Sequence, residues 1–210
     1  MYIPKAYREE RPEELLGFMR AHSFITLISV LDGVPFASHI PVAVAEEGDV
    51  VVLRGHLAKA NPQARAFGAG EALAIFSGPH AYISPSLYEK RESVPTWNYI
   101  AVHAYGPLRA IHAADDKASV EAALRELIAA NEGAYQDHWD SLLPAYRDGM
   151  MQGIVGFEMA VVRLEGKYKL SQNRSAVDRH AVAAALSQSS DPAAQATGVA
   201  MRRTLDGARE

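Results

Sequence analysis

The stretch Arg54-Gly55-His56-Leu57-Ala58-Lys59-Ala60-Asn61-Pro62 puts three basic side chains and a carboxamide at what reads as the end of a strand. Arg54 and Lys59 can give charge-assisted hydrogen bonds, His56 can donate another, and a helix opening at Pro62 adds positive potential at its N-terminus. That chemistry suits a phosphate, each bond to a charged group contributing roughly 1.5–3 kcal/mol. Gly68 and Gly70 match no phosphate-loop pattern, so the spacing alone is read more plainly as a basic surface turn with a structural histidine.

Two further clusters could do chemistry. In Ser77–Ser86 and Val94–Tyr99, aromatic and hydrogen-bonding groups alternate with prolines. Tyr82, Trp97 and Tyr99 could cover a flat heterocycle, or fill a core or subunit interface. The segment Leu164–Arg174 carries three cations, Lys167, Lys169 and Arg174, with the amides Gln172 and Asn173, and otherwise reads as a solvated strand edge. The eight histidines show no H-x-x-x-H or H-E-x-x-H spacing, and no metal site is expected. Ser77, Ser84, Ser86 and Ser171 all lie outside a G-x-S-x-G elbow, which makes a serine hydrolase a distant choice.

The elements that must position these clusters are mostly strands. Pro12, Glu13 and Glu14 open a helix that should end near His22. Phe24–Leu31 and the alternating run from Val34 flank Asp32-Gly33, a strong two-residue hairpin signal. A turn at Glu46–Asp49 leads to a third strand, and Pro62 opens a short helix through Phe67. Leu73–Phe76, Ile100–Leu108 and Ile154–Leu164 complete a set of about six strands with few parallel-crossover signals, so a small antiparallel barrel is expected. Val120, Leu124, Leu127 and Ile128 share a helical face that Asp115 or Asp116 can cap, which predicts a helical insertion around 115–150. Residues 1–182 then form one domain and 183–210 a C-terminal helical tail, of which the last twenty or so residues are expected to be loosely packed.

The chain of 210 residues, 49% hydrophobic, is long enough for one sizeable core. It has no long apolar run and no signal-peptide pattern at its start, and it lacks cysteine, so a cytoplasmic location without membrane contact is expected. A net charge of −4 gives no global attraction to nucleic acid.

Taken together, Met1–Glu9, Arg54–Gln63, Gly78–Tyr88, Val94–Gly106 and Glu165–Arg174 closely resemble the blocks of the bacterial PaiB-type FMN-binding negative transcriptional regulators, in the family's order from Met1 to about Val182. The resemblance implies a mainly β fold with flanking helices (α+β), an FMN-binding split β-barrel with Greek-key-like antiparallel strands, related to pyridoxamine-phosphate oxidases and flavin reductases. It implies a homodimer with FMN at each subunit boundary. Ser38, His39 and Ile40 would lie along the isoalloxazine; Arg54, His56, Leu57 and Lys59 would hold the ribityl phosphate; Trp97, Gln172 and Arg174 would come from the neighbouring subunit.

The regulatory role is the weaker inheritance, because no helix-turn-helix is recognisable and Arg202-Arg203 is the one basic doublet near the end. A DNA or regulatory-protein partner stays open on these residues. Two other classes stay open beside the regulator: a flavin-dependent oxidoreductase, with His39, His80 or Tyr82 near the ring, and a haem-binding split barrel, with His80 or His103 as ligand. No catalytic residue is assigned.

Overall fold

Local chemistry explains where the elements begin and end. In this computed structural model, which describes residues 1–206, the chain runs through β1 (Arg8–Glu9), α1 (Pro12–Ala21), β2 (Phe24–Leu31), β3 (Val34–Pro41), β4 (Ala43–Glu47) and β5 (Val50–Ala58). A 3-10 turn, Pro62–Ala66, precedes β6 (Glu71–Ile83) and β7 (Thr96–Ile111). The helices α2 (Lys117–Glu132), α3 (Tyr135–Ser141) and α4 (Pro144–Gln152) follow, then β8 (Ile154–Ala160), β9 (Arg163–Lys169), α5 (Ala176–Ser187) and α6 (Pro192–Asp206). Asp32 and Gly33 have φ of 53° and 80°, the pair of positive values a tight hairpin needs, and Leu31 pairs with Val34 across them. Asp116 caps α2 by accepting from the Ser119 amide at 3.0 Å.

The chain divides into two compact units, one made of Met1–Leu15, Ser77–Val102 and the segment from Glu165 onward, the other of Leu16–Phe76 and His103–Leu164. In the second unit the strand order is β3-β2-β6-β7-β8-β5-β4. The pairs β2–β3, β2–β6, β4–β5, β5–β8 and β7–β8 are all antiparallel. Among the described residues no ladder joins β3 to β4, although only Val42 separates them in sequence, so hydrogen bonding leaves the sheet open at that corner. Helices α2 and α4 cover this unit through Val120 and Met151, which pack with Ile111, Leu124 and Ile154. Burial of that kind contributes about 25 cal/mol per Å² of apolar surface.

The first unit holds β1 against β9, and α5 against α6. Gly198 lies where a Cβ would meet the Ala183 carbonyl oxygen and the Leu186 Cβ at 3.1 Å, so the two helices approach closely there. Ala194, Thr197, Met201 and Leu205 are buried, which corrects the expectation of a loosely packed tail for its described part; residues 207–210 of that expected tail lie outside the described residues.

Other corrections concern strands. Among the described residues nine form rather than about six. β6 and β7 run well beyond Leu73–Phe76 and Ile100–Leu108, because strand conformation continues through the polar run Ser77–His80 and back to Thr96, where no apolar pattern marks it. The single run expected over Ile154–Leu164 is two strands. Between them the Val161 and Val162 amides leave the ladder to donate to the Val51 and Tyr105 carbonyls, each at 2.9 Å. Among the described residues no helix is long and apolar enough to cross a membrane.

Candidate functional site

Strand alternation decides what each candidate residue can offer. On β5, Leu53, Gly55 and Leu57 point into the core, while Arg54 and His56 point to the opposite face. Gly55 has no room for a side chain: a Cβ there would meet the Phe157 ring at 2.9 Å and the Pro41 carbonyl oxygen at 3.1 Å. β3 therefore passes tightly over β5 at this point. On β3, Phe36, Ser38 and Ile40 turn inward while Ala37, His39 and Pro41 stay exposed.

Ser38 accepts a hydrogen bond from the Asn61 carboxamide at 2.9 Å, and Asn61 Oδ1 accepts from the Gln63 amide at 3.0 Å. Gln63 is fully buried and donates to Leu27 O and Ser29 Oγ, so this polar strut ties the turn after β5 to β2 and β3. His39 Nδ1 and Thr26 Oγ1 share a 3.1 Å hydrogen bond on the exposed face. Ile40 and Leu57 are core side chains, and their exposed chemistry is limited to the main chain.

His56 borders a cavity of about 330 Å³ shared with Pro41, Leu124, Ile128, Tyr135 and Trp139. Its Nδ1 is buried and has no hydrogen-bond partner, and burial holds the imidazole pKa below its ordinary value. Lys59, just past the strand, is exposed and makes no ion pair among the described residues. The contribution of Tyr135 and Trp139 was not expected from the sequence; an aromatic pair at i, i+4 on a short helix was its only signal.

Arg54 differs. Its guanidinium donates to Glu158 at 2.9 Å, to Glu126 at 3.0 Å and also to Glu47, and Arg109 reaches the other oxygen of Glu158. Burial works against the charge, but Glu47 and Glu126 outweigh it and raise the pKa further. The residue is committed to carboxylates. A phosphate at Arg54 would have to displace them.

In the first unit, Trp97 is 53% exposed and packs loosely with Tyr82 and His80, at centroid distances of 6.0 and 6.1 Å. Tyr99 instead lies 5.1 Å from the Lys167 ammonium. Gln172 is folded onto its own backbone, accepting from the Leu170 amide at 2.7 Å and donating to Tyr168 O. Arg174 lies 4.1 Å over the Tyr88 ring. The structure thus brings Ser38, His39, Ile40, Arg54, His56, Leu57 and Lys59 into one unit and Trp97, Gln172 and Arg174 into the other. No group of metal-ligating side chains occurs among the described residues.

Both the sequence and the fold have known counterparts. Residues 1–163 match the family described as "Putative FMN-binding domain". The chain is similar to protease synthase and sporulation protein PAI 2 of Bacillus subtilis (strain 168), with 38% identity over 202 residues that cover 93% of each chain. Among solved structures it is similar to the flavocytochrome Anf3 from Azotobacter vinelandii, with a TM-score of 0.59 and 16% identity over 80% of this chain and 72% of that one. It is also similar to the FAD and heme binding protein from Mycobacterium smegmatis, with a TM-score of 0.54 and 15% identity over 78% and 73%. At such identities the structural likeness establishes the fold, an antiparallel sheet with flanking helices shared with flavin-binding proteins.

Proposed function

The chain belongs to the FMN-binding domain family matched over residues 1–163, and from that premise we propose that it is a homodimeric, FMN-binding regulatory protein of the PaiB type with the flavin at the subunit boundary. The observation that carries this reading is the buried Nδ1 of His56, a nitrogen with no protein partner. It borders a cavity shared with Pro41, two residues along the same exposed row from His39. A buried polar atom without a partner is rare and costs about 1–3 kcal/mol, so a bound group that satisfies it has a clear advantage.

The residues fit FMN in kind. Lys59 offers an uncompensated ammonium and His56 a donor for a phosphate, while Ser38, His39 and Ile40 carry the strand along which the ring lies. Leu57 supports that strand from the core. Trp97, with Gln172 and Arg174, is the contribution of the neighbouring copy, and Gln172 must first leave its bonds to Tyr168 and Leu170. Bound FMN supplies a two-electron redox centre with visible absorption, which this reading uses as a sensing or structural ligand.

A dimer is supported by the outer face of β2 and β3, where Phe24 and Val30 are 67% and 58% exposed on the row that pairs with Pro41 and Pro35. Apolar side chains clustered this way mark an interaction surface, and a stable dimer buries upward of about 1,000 Å². Regulation then runs through the dimer's surface to DNA or to a partner protein. The experiment is an FMN titration of the purified protein, followed by anaerobic addition of NADH, with mass by light scattering. Saturable binding to a dimer without bleaching is expected. Failure to bind FMN overturns the reading, and donor-dependent bleaching with turnover moves it to a flavin-dependent oxidoreductase.

A further inference from the structure

The first unit contains a cavity of about 220 Å³ bordered by Tyr7, Tyr88, Thr96, Asn98, Lys169 and Arg174. No acidic residue lines it, and among the described residues neither Lys169 nor Arg174 has a carboxylate within ion-pair distance. In a chain of net charge −4, two such cations at one cavity are an uncommon concentration of positive potential. A third cation, Lys167, is buried nearby in the same strand, its ammonium held by the Tyr2 carbonyl at 3.1 Å and by the Tyr2 and Tyr99 rings.

The cavity also holds a polar group with nothing to bond. Tyr88 is 7% exposed, and its hydroxyl is buried without a hydrogen-bond partner. The neighbouring polar groups are already fixed. Asn98 Nδ2 donates to Ser171 Oγ at 2.9 Å, and Lys169 donates to Thr96 Oγ1. Ser171 adopts a φ of 63°, a strained value for a residue with a side chain, in the turn closed by the Arg174 amide donating to Ser171 O at 2.9 Å. Stacking over Tyr88 fixes the guanidinium plane while leaving its edge N–H groups for a ligand.

We propose that this cavity is an oxyanion site, in which Lys169, Arg174 and the Tyr88 hydroxyl bind a phosphate or carboxylate group. The donors match the acceptor: two charged residues and a tyrosine border the same cavity, and the volume, below the ~300 Å³ typical of drug-sized ligands, suits a small anion or the anionic end of a larger one. Burial and the charge of Lys167 lower the pKa of Lys169, a cost that a bound anion relieves. The anion has two sources, a free small acid or phosphate, or the phosphate of FMN itself, which would then be held here instead of by Lys59 and His56. Only the second source rests on the reading of the protein as a flavin binder.

The test uses the full-length protein, stripped of flavin and reloaded, titrated calorimetrically with inorganic phosphate and with succinate at low ionic strength. Binding of either probe, weakened about tenfold or more in Lys169→Gln and in Arg174→Gln but not in the exposed-site control Lys5→Gln, supports the site. Tyr88→Phe distinguishes a ligand role from a packing role: it should weaken anion binding several-fold while leaving the melting temperature unchanged or higher, because it removes a hydroxyl that folding leaves unbonded. It also keeps the site testable if Arg174→Gln unfolds the chain.

Phosphate that competes with FMN but not with riboflavin supports the site with flavin as the source; phosphate binding independent of both supports it with a separate anion. Phosphate binding to a protein that does not bind FMN leaves the site standing and removes the flavin reading. No binding of phosphate, succinate or FMN through these residues, or affinities unchanged from the parent protein in all three site variants, overturns the proposal.

Discussion

Arg54 and Arg174 are the same side chain in opposite electrostatic settings. Arg54 meets three carboxylates in the second unit, with Glu158 further shared by Arg109. Arg174, in the first unit, meets an aromatic face and a cavity without acids. A guanidinium saturated by carboxylates holds structure together, and a dianion approaching it would face the remaining negative charge. A guanidinium held only by stacking keeps its hydrogen-bonding edge and its charge available. On the proposed reading the difference ties the first arginine to stability and the second to ligand binding, although both lie in basic stretches of the sequence.

The largest expected effect lies on the structural side of this contrast. Arg54→Ala leaves Glu158 and its neighbours facing one another across a half-buried gap, and is expected to lower stability by roughly 2 kcal/mol, below the range for fully buried pairs because Glu47 and Glu126 are partly solvated. Urea unfolding measures this. An unchanged midpoint, with FMN binding lost instead, would reverse the assignment and return Arg54 to the phosphate.

The next effect is on binding. Lys59→Ala removes an exposed ammonium that has no partner to strand, so the melt should stay where it is while FMN affinity falls about tenfold. Riboflavin, lacking the phosphate, should bind both proteins alike. Equal losses for the two ligands would place Lys59 away from the phosphate.

Smaller still is the stability cost expected for Arg174→Gln, under about 1 kcal/mol, since a cation stacked on a ring at a partly exposed site contributes about that much. A cost as large as that of Arg54→Ala would mean that the two arginines do the same job, and the contrast would fail.

Much of this arrangement was legible in the sequence and some of it could not be. Asp32-Gly33 and Asp116 were readable because hairpin turns and helix caps are local: the residues that specify them are the residues that adopt them. The extents of β6 and β7 were not, because residues such as Ser77, Gly78 and Pro79 take strand geometry without any apolar alternation to announce it. The basic cluster at Arg54–Lys59 was visible as composition, but its division was not. Glu126 and Glu158 lie 72 and 104 positions from Arg54, and only folding shows that they neutralise it while Lys59 is left alone. The same limit applied to Lys169 and Arg174, which read as a solvated edge in the sequence although folding places Tyr88 and Asn98 beside them.

The last prediction uses pH, and here the two properties of His56 move in opposite directions. Burial lowers its pKa below the ordinary 6.5, so the unfolded chain binds a proton more readily than the folded one. Stability is then fullest above about pH 6.5 and declines as pH falls through that window, with a slope that is a fraction of the ~1.4 kcal/mol per pH unit one proton allows. His22, also lowered by burial, adds to the same slope, so His56→Gln should flatten it only in part. Binding runs the other way. If His56 donates to the flavin phosphate, the protonated ring binds the dianion better, and FMN affinity should rise between pH 7.5 and 6.5, before the phosphate itself takes up a proton near ~6. Riboflavin should show no such rise, and neither should the His56→Gln variant with FMN. An FMN affinity that stays flat over that window, beside a stability that still falls, would leave His56 as a buried histidine and nothing more.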